Sequence, residues 1–157
     1  MVSQEALRKI DLELKKYPDS EKRSAIMSAL RIIQEEKGWL SVDLIEYTAN
    51  YLGIPPVQAM EVATFYSMYN LQPVGKYKLM ICTNLPCSLS GSVNTAEYLK
   101  QKLGIEFGET TSDGKFTLLE TECMGACGYA PVMIINNHKM CANMTIDNIE
   151  KKLAELQ

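Results

Sequence analysis

Four of the five cysteines in this chain lie in two close pairs. Four residues separate Cys82 from Cys87, and three separate Cys123 from Cys127. Cysteine thiolates at such short spacings are metal ligands, and four of them suffice for a zinc ion or for a [2Fe-2S] or [4Fe-4S] cluster. We therefore predict that Cys82, Cys87, Cys123 and Cys127 form one four-thiolate metal site.

The gaps within the two pairs favour an iron–sulfur cluster over zinc. Zinc knuckles are most often built on pairs separated by two residues, which places both ligands on one ion. Wider gaps suit a cluster whose two irons each take one pair, with backbone N–H donors and apolar residues around the sulfurs. Glycine would let the backbone come close to the sulfurs, and the candidates are Gly91, Gly125 and Gly128. The apolar residues that could exclude water are Leu85, Leu89, Met124, Ala126 and Ala130. Spacing alone leaves a structural zinc module open as an alternative.

Length and composition indicate one domain or two small ones. The 157 residues are 46% hydrophobic, which is enough for a core, and the formal net charge is −3. Neither half is basic, so we expect no nucleic-acid partner. No apolar run approaches the length of a membrane span and no leader opens the chain, so we expect no direct membrane insertion. The cysteine usage favours a reducing, cytoplasmic compartment, with attachment to a membrane only through a larger complex.

The first 72 residues are predicted to form a helical bundle. Apolar residues recur there at helical spacing, with serine, proline and glycine at the expected ends. The predicted helices are one at 3–16, a second capped by Asp19 or Ser20 and ending at Lys37, a third at 42–52 after Ser41, and a fourth from Pro55 or Pro56 to about Met68. A connector with proline and glycine follows at 72–75.

From residue 73 onward the apolar period changes to two, which indicates strands. The predicted elements are a strand at Tyr77–Cys82, a helix at 93–103, strands at 107–112 and 115–120 around an Asp-Gly turn, a hairpin of strands 132–135 and 138–142, and a final helix capped by Thr145. Their order is strand-helix-strand followed by strand-strand-helix.

The strand-helix-strand unit explains how the distant cysteine pairs can meet. Its two strands are expected to be parallel, so their C-terminal ends lie at the same edge of the sheet. Cys82 ends the first strand, and Cys123 follows the second. The arrangement resembles the thioredoxin fold, although the Cys-x-x-Cys motif of thioredoxin is missing. We therefore predict an α+β protein, with a helical bundle over residues 1–72 and a thioredoxin-like domain over residues 73–157.

Several longer motifs resemble one family closely. The matching stretches are ATFYSMY at 63–69, PVGKY at 73–77, CTNLPC at 82–87, GETTSDGKFTL at 108–118 and ECMGACGYAP at 122–131. In this order they resemble the small thioredoxin-like [2Fe-2S] subunit of NADH dehydrogenases such as respiratory complex I (NADH:quinone oxidoreductase), and its relatives in NAD-linked hydrogenases and formate dehydrogenases. The resemblance covers most of residues 38–135.

The resemblance implies a specific function. The family's cluster ligands fall on Cys82, Cys87, Cys123 and Cys127, which would hold one [2Fe-2S] cluster. In this family the helical and thioredoxin-like parts dock on a larger subunit that binds FMN and NADH, and the cluster exchanges electrons with that flavin. The chain itself is expected to do no hydride chemistry, and it has neither a Gly-x-Gly-x-x-Gly nor a Walker-type loop. The resemblance leaves open whether the holoenzyme is a complex I, a hydrogenase or a formate dehydrogenase.

Two other functions remain as alternatives from the sequence. A free-standing thioredoxin-like ferredoxin would carry electrons by diffusion, but it would need only the cluster domain. The helices between residues 20 and 68 could form the DNA-binding part of a regulator, but none of them is rich in arginine or lysine. Outside the site, Cys141 is interpreted as a buried structural thiol and His138 as a solvated turn residue.

Overall fold

The chain divides into two compact units, one ending at Pro73 and one beginning at Val74. The computed structural model describes residues 2–156. The first unit is all helical, and the second is a four-stranded sheet with helices. The predicted α+β class, with the helices first, is confirmed. No helix within residues 2–156 combines the length and the apolar character that a membrane span requires.

The first unit contains four α-helices around one apolar core. They are α1 Gln4–Leu14, α2 Ile26–Lys37, α3 Val42–Leu52 and α4 Pro56–Phe65. Ser3 and Ser41 cap α1 and α3, because each hydroxyl accepts a hydrogen bond from a backbone N–H in the first turn. Gly53 ends α3 in the left-handed conformation that favours glycine. Ile33 of α2 is fully buried among the apolar stripes of the other helices.

The second helix starts later than the sequence predicts. Residues Asp19–Ala25 form a 3-10 helix, and the α-helix begins only at Ile26. The expected cap at Asp19 or Ser20 is therefore wrong. Glu21 leaves the helical region of the backbone, with φ −117° and ψ 28°, so the regular α-helix cannot extend back through it.

The fourth helix ends at Phe65 rather than near Met68. Tyr66 has an extended backbone, with φ −95° and ψ 122°. The side-chain amide of Gln34 holds the segment that follows, donating to the Met68 carbonyl oxygen over 3.0 Å and accepting from the Asn70 N–H over 2.5 Å. These tertiary hydrogen bonds stabilise the turn that follows Tyr66 in place of a further turn of α4.

The second unit is built around a central parallel pair of strands. Its elements are β1 Tyr77–Cys82, α5 Leu85–Leu89, α6 Ser92–Leu103, β2 Phe116–Thr121, β3 Met133–Ile135, β4 Lys139–Cys141 and α7 Ile146–Glu155. The strand order is β2-β1-β3-β4. β1 pairs with β2 in parallel and with β3 antiparallel, and β3 pairs antiparallel with β4. The predicted strand-helix-strand and strand-strand-helix order is confirmed.

Strand β1 is buried along its length after Tyr77. Leu79 and Ile81 contribute to the core shared with α6 and α7. The intervening residues are buried as well, as expected for a central strand with a parallel neighbour. Lys78 is only 2% exposed, and burial lowers its pKa from 10.5 to about 8.

The strand predicted at 107–112 is wrong. Only Thr110 forms a bridge, with Thr117 of β2. Gly108 has a φ of +87°, which turns the backbone away from an extended path. The predicted strand at 115–120 and the later hairpin are confirmed, within one or two residues of their expected ends.

The backbone entering β1 leaves no room for a side chain at Gly75. A Cβ there would lie 3.0 Å from the Gly114 carbonyl oxygen and 3.0 Å from the Lys115 carbonyl. We expect Gly75→Ala to lower the free energy of unfolding by about 1–3 kcal/mol, because rigid backbone would have to move. Urea denaturation of the purified chain measures the change. Gly128→Ala is the matched control, since no described atom beyond Gly128 and its two chain neighbours lies within 4 Å of its Cβ position, and an equal loss in both variants would contradict the explanation.

The carboxylate of Glu36, in the last turn of α2, forms hydrogen bonds with Ser3 at the start of α1. Glu36 accepts hydrogen bonds from Lys37 over 2.6 Å and from the Ser3 N–H over 3.1 Å, and these contacts lower its pKa from 4.5 to about 2. Because the folded-state pKa is the lower one, the stabilisation is present above pH 4.5 and is lost as the pH falls towards 2. We expect Glu36→Gln to flatten the fall in unfolding free energy over this range, measured by urea denaturation at several pH values. Glu35→Gln, which removes the same charge one residue away, should keep the wild-type slope.

Candidate metal centre

The parallel strand pair brings both cysteine segments to one edge of the sheet. Cys82 is the last residue of β1 and lies opposite Thr121, the last residue of β2. Cys123 follows two residues later. The second cysteine of each pair is then placed by the local backbone, Cys87 by α5 and Cys127 by a short 3-10 helix.

The first pair is buried. Cys82 and Cys87 are each 1% exposed and pack with Val132. The Cys82 N–H donates to the Val132 carbonyl oxygen over 3.1 Å. Burial raises the pKa of the Cys87 thiol, and the hydrogen-bonded thiol of Cys82 raises it further.

The second pair is exposed. The Sγ atoms of Cys123 and Cys127 are 3.9 Å apart, close to the edge of a tetrahedron around a metal with bonds of about 2.3 Å to sulfur. Gly125, with a φ of +72°, lets the intervening loop turn, and its N–H donates to the Cys123 Sγ over 3.4 Å. The hydrogen bond with Cys123 raises the pKa of Cys127.

The two cysteine pairs lie close enough for a charge on one pair to affect the pKa of a thiol in the other. A charge on Cys127 raises the pKa of Cys87, and a charge on Cys82 raises the pKa of Cys127. Within residues 2–156, no three cysteine, histidine, aspartate or glutamate side chains converge on one point where they could hold a single ion.

The donor set fits a [2Fe-2S] cluster. Four thiols in two pairs supply one pair for each iron. Burial raises the pKa of Cys87 and the hydrogen bond with Cys123 raises the pKa of Cys127, and a bound cation would overcome both effects because it deprotonates its ligands. The backbone N–H of Gly125 already points at the Cys123 sulfur, which is the hydrogen bonding that such clusters need.

The shielding predicted from the sequence is correct in part. Met124, Ala126 and Ala130 pack against the buried pair, as expected. Leu85 and Leu89 are 71% and 81% exposed, so the prediction that they exclude water is wrong. They lie four residues apart on α5, on a face that α5 turns towards solvent.

Some functional features were missed in the sequence. Helix α5 has five residues, which is too short to give a periodic signal, and yet it carries Cys87. Val132 packs against Cys82 and Cys87, a contact that the sequence pattern does not indicate. Cys141 is buried on β4, as predicted, and His138 is exposed in the turn before β4.

The family follows from comparison with known proteins. Residues 10–157 match the model of the thioredoxin-like [2Fe-2S] ferredoxin family. This chain belongs to that family. The resemblance noted in the sequence motifs is thereby confirmed.

Named relatives agree with this membership. The chain is 48% identical over 145 residues to a subunit of the NADH-quinone oxidoreductase of Rickettsia conorii, covering 92% of this chain and 86% of the relative. It is 53% identical over 125 residues to the corresponding NADH-quinone oxidoreductase subunit of Rickettsia prowazekii, covering 79% and 71% of the two chains. It is 42% identical over 142 residues to NADH-quinone oxidoreductase subunit 2 of Thermus thermophilus, covering 90% and 78%.

The fold is also found in a solved enzyme. A crystal structure of an NAD+-reducing [NiFe]-hydrogenase in its H2-reduced state matches with a TM-score of 0.70 at 19% sequence identity. The match covers 82% of this chain and 22% of the hydrogenase chain. At this identity it shows that the fold is shared.

Proposed function

We propose that this chain is the electron-transfer subunit of an NADH dehydrogenase module and holds one [2Fe-2S] cluster on Cys82, Cys87, Cys123 and Cys127. The observation that carries the proposal is the meeting of a buried and an exposed thiol pair at one edge of the sheet, the exposed pair with the Gly125 N–H as a donor. Membership of the [2Fe-2S] family and relatives named as NADH-quinone oxidoreductase subunits support it.

The residues of this chain have separable roles in that function. The bound cluster would supply one-electron transfer. Cys82 and Cys87 anchor it on the rigid end of β1 and on α5, where water is excluded. Cys123 and Cys127 bring its other side to the surface, where a redox partner can approach. The Gly125 N–H stabilises negative charge on the Cys123 sulfur, and so favours the reduced state.

The partner in this proposal is a larger subunit that binds FMN and NADH and performs the hydride chemistry. The names of the relatives support a place in such a complex. Attachment to a membrane would then be peripheral, through the complex. The holoenzyme could be of the quinone-reducing or the hydrogenase type.

The helical unit offers a surface for docking on that partner. Phe65 is 80% exposed and Tyr66 is 38% exposed, and their rings meet edge to face with centroids 5.0 Å apart. Exposed aromatic residues in one place are typical anchors of protein interfaces. A freely diffusing ferredoxin would have no use for this surface.

Iron and sulfide content tests the proposed ligand set. We expect the chain, purified without oxygen, to contain two irons and two sulfides and to give an EPR signal on reduction. Cys87→Ser and Cys123→Ser should lose most of both elements, because each removes a thiolate that anchors one iron. Cys141→Ser, the matched control on β4, should retain them. One zinc per chain without visible colour would contradict the proposal, and so would loss of the cluster in the Cys141 variant.

The docking surface can be tested in the assembled complex. We expect the tagged chain to co-purify with a flavin-containing, NADH-oxidising subunit, and Phe65→Ala to weaken that association about tenfold or more in a binding titration. Leu12→Ala removes another exposed apolar side chain, 61% exposed on α1, and should leave the affinity unchanged. A chain that stays monomeric and reduces several unrelated enzymes would indicate a diffusing ferredoxin instead.

A further inference from the structure

One buried hydroxyl in the thioredoxin-like unit has no partner. Among the side chains of residues 2–156, Ser92 Oγ is buried without a hydrogen bond, and the residue is 0% exposed. Burying a hydroxyl unpaired is unfavourable, so buried hydroxyls are nearly always paired. Ser92 therefore presents a donor whose acceptor the described part of the chain does not supply.

Ser92 begins α6 directly after the segment that carries Cys87. The Ser90 N–H donates to the Cys87 carbonyl oxygen over 3.0 Å, and the Gly91 N–H donates to the Ser88 carbonyl oxygen over 2.9 Å. Gly91 has a φ of +93°, which reverses the chain within one residue. These two backbone hydrogen bonds connect the residues just before α6 to the segment that carries Cys87.

The same turn is anchored to the other segment that contacts the buried pair. Thr95 lies three residues after Ser92, on the same side of α6, and its hydroxyl donates to the Met144 carbonyl oxygen over 3.0 Å. The Met144 N–H donates to the Pro131 carbonyl oxygen over 2.8 Å. Val132 follows and packs against Cys82 and Cys87. Both chain segments that touch the buried pair therefore hold this turn.

The N-terminus of α6 is suited to negative charge. The helix has 12 residues, its N-cap is Gly91, no side chain caps its N–H groups and no acidic residue lies in its first turn. Free N–H groups and the positive end of the helix dipole stabilise an anion at this position. Four thiolates with a [2Fe-2S] core form an anion whose sulfurs accept hydrogen bonds.

We propose that the Ser92 hydroxyl, together with the N-terminus of α6, donates to sulfur on the side of the cluster that Cys82 and Cys87 hold, and thereby raises the midpoint reduction potential. Reduction adds one negative charge, so a fixed donor stabilises the reduced state more than the oxidised state. Ser92 is in this view a hydrogen-bond donor to the cluster and not a ligand. The inference rests on the proposed function, since it concerns the cluster held by those cysteines.

The test compares three variants of the full chain. Ser92→Ala removes the hydroxyl, Ser92→Thr keeps it, and Ser90→Ala removes a nearby hydroxyl that already donates to the Pro86 carbonyl oxygen. Midpoint potentials come from EPR-monitored redox titration, and resonance Raman spectra in H2O and D2O report hydrogen bonding to sulfur. Thermal unfolding of the cluster-free chains reports any purely structural effect.

We expect Ser92→Ala to lower the ratio of reduced to oxidised cluster about tenfold at a fixed potential, a shift of ~59 mV for one electron. Its Raman spectrum should lose a deuterium-sensitive shift, while Ser92→Thr and Ser90→Ala stay near wild type. The cluster-free Ser92→Ala chain should be as stable as wild type or more so, because it no longer buries an unpaired hydroxyl. A Ser92→Ala chain that cannot hold the cluster would contradict the proposal, because a hydrogen bond that tunes the potential, unlike a ligand, is not needed for cluster binding.

Other outcomes would overturn it. An unchanged potential and Raman spectrum in Ser92→Ala would show that the hydroxyl does not reach the cluster. Equal shifts of the midpoint potential in Ser92→Ala and Ser92→Thr would show that the shape of the side chain, and not its hydroxyl, affects the potential. A wild-type chain without iron and sulfide would contradict the proposed function as well, whereas a loaded wild-type chain with an insensitive Ser92→Ala would contradict this inference alone.

Discussion

The parallel pairing of β1 with β2 is the constraint on which the metal centre depends. In its register Cys82 lies opposite Thr121, so the strand ends are level and the loop carrying Cys123 begins where the first thiol is placed. A slip of one residue would turn Cys82 to the opposite face of the sheet, towards the core that contains Ile81. Gly75 helps to hold this register, because its N–H donates to the Thr117 hydroxyl over 2.7 Å.

The centre is asymmetric, and the asymmetry follows from where each pair lies along the chain. Cys82 and Cys87 belong to a strand and a helix that pack into the unit, so they are dry and rigid. Cys123 and Cys127 belong to a loop that follows an edge strand, so they face solvent. A cluster bound across the two pairs would therefore be fixed on one side and accessible on the other. A carrier that must keep its cofactor and still pass electrons to another protein needs both properties.

Helix ends that depend on local capping residues are predicted correctly from the sequence, whereas helix ends that depend on the rest of the fold are not. Helix α3 lies between Ser41 and Gly53, as predicted, because its capping chemistry is local and uncontested. The predicted start of α2 is wrong because of the backbone conformation at Glu21. The predicted end of α4 is wrong because the hydrogen bonds of Gln34 override the local pattern. The same holds at the site. The thiols are visible in the sequence, whereas the contact of Val132 with the buried pair and the short helix α5 are products of folding.

The helical unit bears on whether the protein works alone. It has a complete core of its own, so its exposed aromatic residues are not left over from an unfinished interior. Phe65 ends α4 with four-fifths of its surface exposed to solvent, next to Tyr66, although the same helix buries Ala59 and Ala63. Keeping two aromatic rings in water is unfavourable for a monomer. A partner that covers them would remove this cost, which is why an assembled electron-transfer complex accounts for both units of the chain, while a diffusing carrier accounts only for the second.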